Sequence, residues 1–592
     1  MNTLLLLTAI ILPAVVAPLV FGASRPALAV RALAPWAASP ALLLALSPLG
    51  FPSIELPWVV AGVHFELDLI GRVFLIVTAA LWTAAGVYAS GYMDREGWRR
   101  FLFFFLLTMA GNLGLPIAGD AVSFYFFFAL MTFAGYGLIV HAGDQAARRA
   151  GRVYLVLAVI GEAFLLAGLV LAVDATGSIL VGAIPAGVAR SPDVGAITAC
   201  LMVGFAIKAG AVPLHVWLPL AHPVAPTPAS AVLSGSMIKG GLLGWLRFFP
   251  LGEATLPEWG VFVVAMGIVA AFFGVVVGLV QTDAKTVLAY SSISQMGLIN
   301  IGVGIALTAP DSVVPAIGAI MLYATHHGLA KGALFLGVGV AEARTRGPTS
   351  RRLILFGLGL PALAIAGAPL TSGAIAKQEL KQLTPLLPDP WPHLLDWLLP
   401  LSAIATTLLM VRFLVLTQRR LTTDAGHRLV PLVWIPWAAL VTAVAVLFWI
   451  LPYRMPVLTS GTPHLPGPDA LAAEVLPILA GVAAFVAVVR LRRRWAPAWI
   501  APHIVPGDIL APVERALARL PRPDLVVERL ASGGITGGMS GQIARRWYRI
   551  YSESARYDPL IRLELRLTRW AAGIGLLLLV TASLLFLLAW GS

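Results

Sequence analysis

Apolar runs of about twenty residues, the length that crosses a hydrocarbon core, recur along nearly the whole 592-residue chain. In lipid the backbone must satisfy its own N–H and C=O groups, so runs of this kind fold as helices. The chain is therefore read as an all-α polytopic membrane protein. Composition agrees: 59% of residues are hydrophobic and only 12% charged, against roughly 25% charged in an ordinary soluble domain. The first run, "LLLLTAIILPAVVAPLVFG" from Leu4, has no basic region before it and no Ala-x-Ala site. It reads as a retained helix and not as a signal peptide.

Sixteen spans are expected, near 3–21, 27–48, 69–91, 101–118, 120–141, 152–174, 195–218, 228–249, 258–280, 285–308, 312–342, 352–386, 394–417, 431–452, 473–491 and 568–590. Residues 51–68 are too short and polar to cross, and their alternation predicts a surface hairpin. With the N-terminus outside, alternate loops hold Arg95, Arg99, Arg100, Arg148, Arg149, Arg344, Arg346, Arg351, Arg419, Arg420 and Arg492–Arg494. The opposite loops offer little beyond Arg190 and Arg454. That asymmetry obeys the positive-inside rule and puts both termini on the periplasmic side of a bacterial inner membrane. It also accounts for the net charge of +13 without nucleic acid, for which no aromatic-basic motif argues.

Cys200 is the only cysteine, so neither an internal disulfide nor a thiolate cluster can form. No dinucleotide fingerprint or phosphate-binding loop is present. No cofactor, no metal and no redox or hydrolytic site is expected in this chain.

Three spans carry internal breakers: "KAGAVPLHVW" (208–217), with Pro213, "HHGLAKGALFLGVG" (326–339) and "AIAGAPLTSGAIAKQEL" (364–380), with Pro369. A proline in mid-helix removes a hydrogen bond, and the freed carbonyls survive only against protein or a polar cavity. Paired broken helices point to inverted repeats, here two five-helix units over 101–249 and 258–417, each with a lysine beside its break. The remaining segments are 1–100 (N-terminal helices and hairpin), 418–491 (further spans) and 492–592 (an amphipathic cytoplasmic segment and a final span).

Glu162, Lys208, Lys239, His327, Lys331 and Lys377 fall inside these spans. A charge in mid-membrane is costly and marks an ion or proton pathway, although a single lysine near a helix end can snorkel. Tyr323, His327 and Lys331, spaced by four, share one helix face. His326 and His327 point about 100° apart with no carboxylate near, which argues against a metal. His215 and His222 flank the first break and, with Pro213, Tyr323, His326, Pro369 and Glu379, are assigned structural or gating roles. Lys377 is assigned to the exit, its alternative being a helix-end pair with Glu379.

The stretches "KAGAVPLHVWLPLAHPVAPTPASAVLSGSMIKGG", "KTVLAYSSISQMGLINIG" (285–302), "HHGLAKGALFL" (326–336) and "PLTSGAIAKQEL" (369–380) resemble the antiporter-like subunits of respiratory complex I. That family includes the large subunits of Mrp-type sodium/proton antiporters and of membrane-bound hydrogenases, and the formate-hydrogenlyase branch is the most similar. The resemblance covers about residues 60–420. It implies a proton path through Lys208, Lys239, His327, Lys331 and Lys377, with His327 and Lys331 in a broken-helix connection. It further implies partner membrane subunits and a cytoplasmic soluble module. Two departures stand out: Ala129 in "FFALMTFAGYG" replaces the usual glutamate, and Tyr323 replaces a second relay histidine. Glu162 is placed to supply the missing counter-charge. The function expected is a proton-translocating subunit of an energy-converting complex. The alternatives are a cation/proton antiporter subunit, the membrane half of an inorganic-carbon uptake system, or a scaffold whose path has decayed.

Overall fold

The computed structural model describes residues 2–21, 30–47, 50, 52–57, 62–93, 97–309, 312–343, 348–421, 430–454, 467–495 and 506–510. The chain divides into two compact units, Met1–Pro506 and Gly507–Ser592. The second is described only at residues 507–510, so the expected final span and most of the amphipathic segment lie outside the described residues.

The first unit begins with α1 (Asn2–Leu19) and α2 (Ser39–Leu46). The antiparallel strands β1 (Ser53–Leu56) and β2 (Val63–Glu66) follow, paired in the register Ser53↔Glu66 to Leu56↔Val63. This is the surface hairpin that the alternation of 51–68 predicts. Then come α3 (Leu69–Tyr92), α4 (Trp98–Gly114), α5 (Ala121–Ile139), α6 (Gln145–Thr176) and the short α7 (Ile184–Arg190). The first broken span comprises α8 (Val194–Ala209) and α9 (Trp217–Val224); α10 (Thr227–Val232) and α11 (Ile238–Phe248) form the next, joined by a π turn at Leu233–Met237. After α12 (Pro257–Leu279), α13 (Ala284–Thr308) and α14 (Val313–Glu342), the second broken span is α15 (Pro348–Ala366) and α16 (Ser372–Leu383). Helices α17 (Trp391–Arg420), α18 (Pro431–Arg454) and α19 (Pro468–Trp495) complete it. Ten described helices are long and apolar enough to cross a membrane, so the protein is a multi-pass membrane protein.

Local chemistry sets the helix starts. Asp68, Asp120, Asp144 and Asp283 cap α3, α5, α6 and α13, each accepting from the backbone N–H three residues on, where the first turn leaves donors unpaired. On the hairpin face Asp68 also takes two bonds from Arg247, at 2.6 and 2.7 Å. At the opposite end Arg420 joins Asp283 to Glu342, tying α17 to the ends of α13 and α14.

One expectation is corrected here. The "HHGLAKGALFLGVG" span is not broken: α14 runs unbroken for 30 residues. Its glycines are packing surfaces, since a Cβ at Gly328 would lie 2.7 Å from the Gly235 carbonyl oxygen. Without a proline the helix keeps its ladder, and glycine alone costs only about 1 kcal/mol of helix propensity. α14 is buried from Gly318 to Ala341 and packs against α3, α10, α13, α15, α16 and α18.

Helices α12 and α13 meet backbone to backbone. Gly260, Gly267 and Gly274, seven residues apart, face the carbonyls of Gly304, Gly297 and Tyr290; an added Cβ would lie 2.5–2.6 Å from each oxygen. Small residues at such seams let membrane helices approach closely. Gly267→Val is expected to cost about 1–3 kcal/mol through overpacking, read as earlier thermal inactivation in detergent. Gly359→Ala, with open space at its Cβ, is the neutral control. Equal melting of the two variants would show that the seam is not tight.

Candidate functional site

The first break follows from its sequence. Ala209 ends α8, and Gly210 takes the left-handed conformation (φ 70°) that only glycine adopts without strain. Pro213 lies in the seven residues that separate α8 from α9. Lys208, in the last turn before the break, is buried, and its Nζ donates to the Tyr154 hydroxyl at 3.1 Å. That hydroxyl in turn donates to the Thr132 carbonyl at 2.7 Å. The ammonium also lies 5.2–5.9 Å from the ring centres of Phe128, Tyr154 and Trp217, within the range of cation–π attraction. Trp217 is held by its own bond from Nε1 to the Ile207 carbonyl, 2.7 Å. Glu162 shares with Lys208 a cavity of about 10 Å³, room for about one water molecule. Helix α5 lends Phe128 and Thr132 to that lining, and not Ala129.

The second group is centred on Lys239. Its Nζ donates to the Ser234 carbonyl of the π turn at 2.7 Å and lies 2.9 Å from His327 Nδ1. Ser234 and Ser292 pair through their hydroxyls at 2.7 Å, Ser292 donates to the Leu288 carbonyl, and Lys331 donates to the same carbonyl at 2.8 Å. Tyr323, one turn before His327, donates to Gln295 Oε1 at 3.0 Å. The stripe of Tyr323, His327 and Lys331 therefore reaches two neighbours, α13 and α11. A second cavity of about 10 Å³, lined by Thr78, Ser236, Lys239 and Thr325 among others, opens beside Lys239 towards α3.

His222 is fully buried and stacks on Phe335, with ring centres 4.5 Å apart. His215, also fully buried, meets Phe273 edge-on at 5.1 Å. Lys285, a buried amine that donates to the Ala225 carbonyl at 2.9 Å, was missed from sequence. It stands at a helix start two residues after an aspartate, the pattern of an interfacial loop. Its one signal is the Pro226 that follows Ala225, because proline supplies no N–H and forces an irregular turn with unpaired carbonyls.

At the second break α15 ends at Ala366, and Gly367 (φ 87°) and Leu370 (φ 59°) both adopt left-handed backbone around Pro369. Thr371 caps α16. Lys377 reaches back across the break, and its Nζ donates to the Ala366 carbonyl at 2.6 Å. Glu379 is half-buried on the same helix. The adjacent histidines of α14 part ways: His327 meets Lys239, whereas His326 Nδ1 lies 2.8 Å from Ser372 Oγ.

Residues 118–380 match the family described as NADH:quinone oxidoreductase/Mrp antiporter, TM. Among relatives, the chain is 30% identical to hydrogenase-4 component B of Escherichia coli K12 over 300 residues, 49% of this chain and 44% of that one. It is 31% identical to the putative antiporter subunit mnhA2 of Staphylococcus saprophyticus over 356 residues, 55% and 44%. The chain thus spans about half the length of the curated relatives it matches. The Mrp complex from Dietzia sp. has the same fold (TM-score 0.70, 21% identity, 94% of this chain and 62% of that one). So does the archaeal membrane-bound sulfane sulfur reductase (TM-score 0.62, 20% identity, 82% and 99%).

Both breaks and the lysines named above lie within the matched residues 118–380. Tyr154 is the pivot of the first group, since its hydroxyl accepts from Lys208 and donates to Thr132. Tyr154→Phe leaves a buried ammonium without that acceptor, a loss of about 1–3 kcal/mol. A lower thermal midpoint of the purified protein is expected, and an unchanged one would show that the aromatic rings alone hold the amine.

Proposed function

We propose that this chain is a proton-translocating membrane subunit of a larger energy-converting complex. The observation that carries the reading is the direct contact between Lys239 and His327, 2.9 Å apart in the buried interior. We read a lysine beside an imidazole, where the described residues hold no group of three or more metal-ligating side chains, as a place where a proton is shared. We assign Glu162 and Lys208 to the path before this pair and Lys377 to the path after it, with Lys331 linked through the Leu288 carbonyl, Ser292 and Ser234. We read these as one path: Glu162, Lys208, Lys239 with His327 and Lys331, then Lys377. His215, His222, Tyr323 and Glu379 flank it. Amines and imidazoles accept protons, whereas hard metal cations prefer oxygen ligands, which favours H⁺ as the carried ion.

Repulsion supplies the coupling. Two ammonium groups about 7–10 Å apart at an effective dielectric near 20 repel by about 2 kcal/mol. Protonating one therefore drives the next proton onward. Glu162 stands in for the carboxylate that Ala129 lacks. The wider organisation belongs to the same reading: sixteen spans, two inverted five-helix repeats over 101–249 and 258–417, flanking segments 1–100, 418–491 and 492–592, and both termini in the periplasm of a bacterial cell. Partner membrane subunits and a cytoplasmic module would drive the path. The names of the relatives, a hydrogenase component and an antiporter subunit, support that setting.

Lys208→Ala and Glu162→Gln test the reading by proton uptake in membrane vesicles that hold the assembled complex. Both are expected to lower uptake about tenfold or more, the usual scale for loss of a positioned proton carrier, at unchanged expression. Ala129→Glu in the Glu162→Gln background should restore part of it. Wild-type uptake by Lys208→Ala would remove the path from the mechanism.

A further inference from the structure

We propose that His326 is the relay that moves the proton from the central Lys239–His327 pair to the second helix break, with Ser372 as its outgoing partner. The inference rests on the proton-path reading above and adds a residue that this reading leaves out. His326 is buried, 1% exposed, and its Nδ1 lies 2.8 Å from the Ser372 hydroxyl. Its Nε2 is enclosed with no hydrogen-bond partner. The titratable groups that face the ring are Tyr323 and His327 on its own helix, Lys239 from α11 and Lys377 from α16. His326 lies within electrostatic reach of both Lys239 and Lys377, whereas His327 interacts with Lys239, Lys331 and His326. His326 is thus the side chain of α14 that bridges the centre and the break.

The ring is seated for this. A Cβ on Gly373 would lie 3.0 Å from His326 Cε1 and 1.8 Å from the Ala364 carbonyl oxygen. The start of α16 therefore packs closely on both the imidazole and the end of α15, the helix whose Ala366 carbonyl holds Lys377. In the tautomer in which Nδ1–H donates to Ser372, Nε2 carries a free lone pair. A proton from the Lys239–His327 pair binds Nε2, and the imidazolium releases its Nδ1 proton to the Ser372 oxygen. The hydroxyl passes its own proton on towards a neutral Lys377. One proton enters and one leaves, and the ring is left in its other tautomer until it turns back.

The test is proton uptake by membrane vesicles that hold the full chain in its assembled complex. His326→Gln keeps an amide to bond Ser372 but cannot take on a proton; uptake is expected to fall about tenfold or more, with assembly unchanged. Ser372→Thr should restore what Ser372→Ala loses. Uptake by His326→Gln within about twofold of the native rate, a change too small for a lost proton carrier, would overturn the proposal. Where that variant does not assemble, the same criterion applies to His326→Asn. Lys239→Ala separates the two readings: if it is inactive while His326→Gln is normal, only the relay fails. If Lys239→Ala also transports normally, the path itself fails.

Discussion

A lysine ammonium in the membrane interior needs acceptors, and a regular helix has no carbonyls to spare. The protein meets this need mostly at its irregularities, the exception being Lys331, which bonds the Leu288 carbonyl inside α13. Lys377 is held by the carbonyl that ends α15, Lys285 by that of Ala225 just before Pro226, and Lys239 by that of Ser234 in the π turn. Each acceptor is a carbonyl released where the ladder is cut or widened. Breaking the helix and placing the charge are therefore one structural act. Lys208 solves the same problem with a hydroxyl and three aromatic faces, which suits a site where Ala129 brings no carboxylate.

The continuous α14 is the element that makes these separate sites one arrangement. It touches α11 through His327, α13 through Lys331 and Tyr323, and α16 through His326. A break there would uncouple the directions in which successive side chains point. An intact ladder holds His326 and His327 about 100° apart, and that angle sends one imidazole to the centre and the other to the second break. The salt-linked ends of α13, α14 and α17 through Arg420 fix the same helix at its far end.

Much of the framework is legible in neighbouring residues. Hydropathy locates the spans, and alternation over 51–68 foretells the hairpin. Gly210 with Pro213, and Gly367 with Pro369, foretell the two breaks. The same reasoning misjudged "HHGLAKGALFLGVG", because glycines that serve helix contact look like glycines that end a helix. It also passed over Lys285 at the start of a span, because the acceptor for that amine, the Ala225 carbonyl, comes from sixty positions earlier in the chain.

The sequence by itself determined that this is a helical membrane protein with spans interrupted at Pro213 and Pro369 and with lysines and histidines inside its apolar segments. Those properties depend on composition and on residues a few positions apart. Tertiary structure alone decided the partners: Tyr154 for Lys208 across 54 positions, His327 for Lys239 across 88, and Ser372 for His326 across 46. Hydrogen bonds act only within about 3 Å, and no local propensity specifies which helix will bring an acceptor that close. Packing of the glycine seams and the unbroken course of α14 do so.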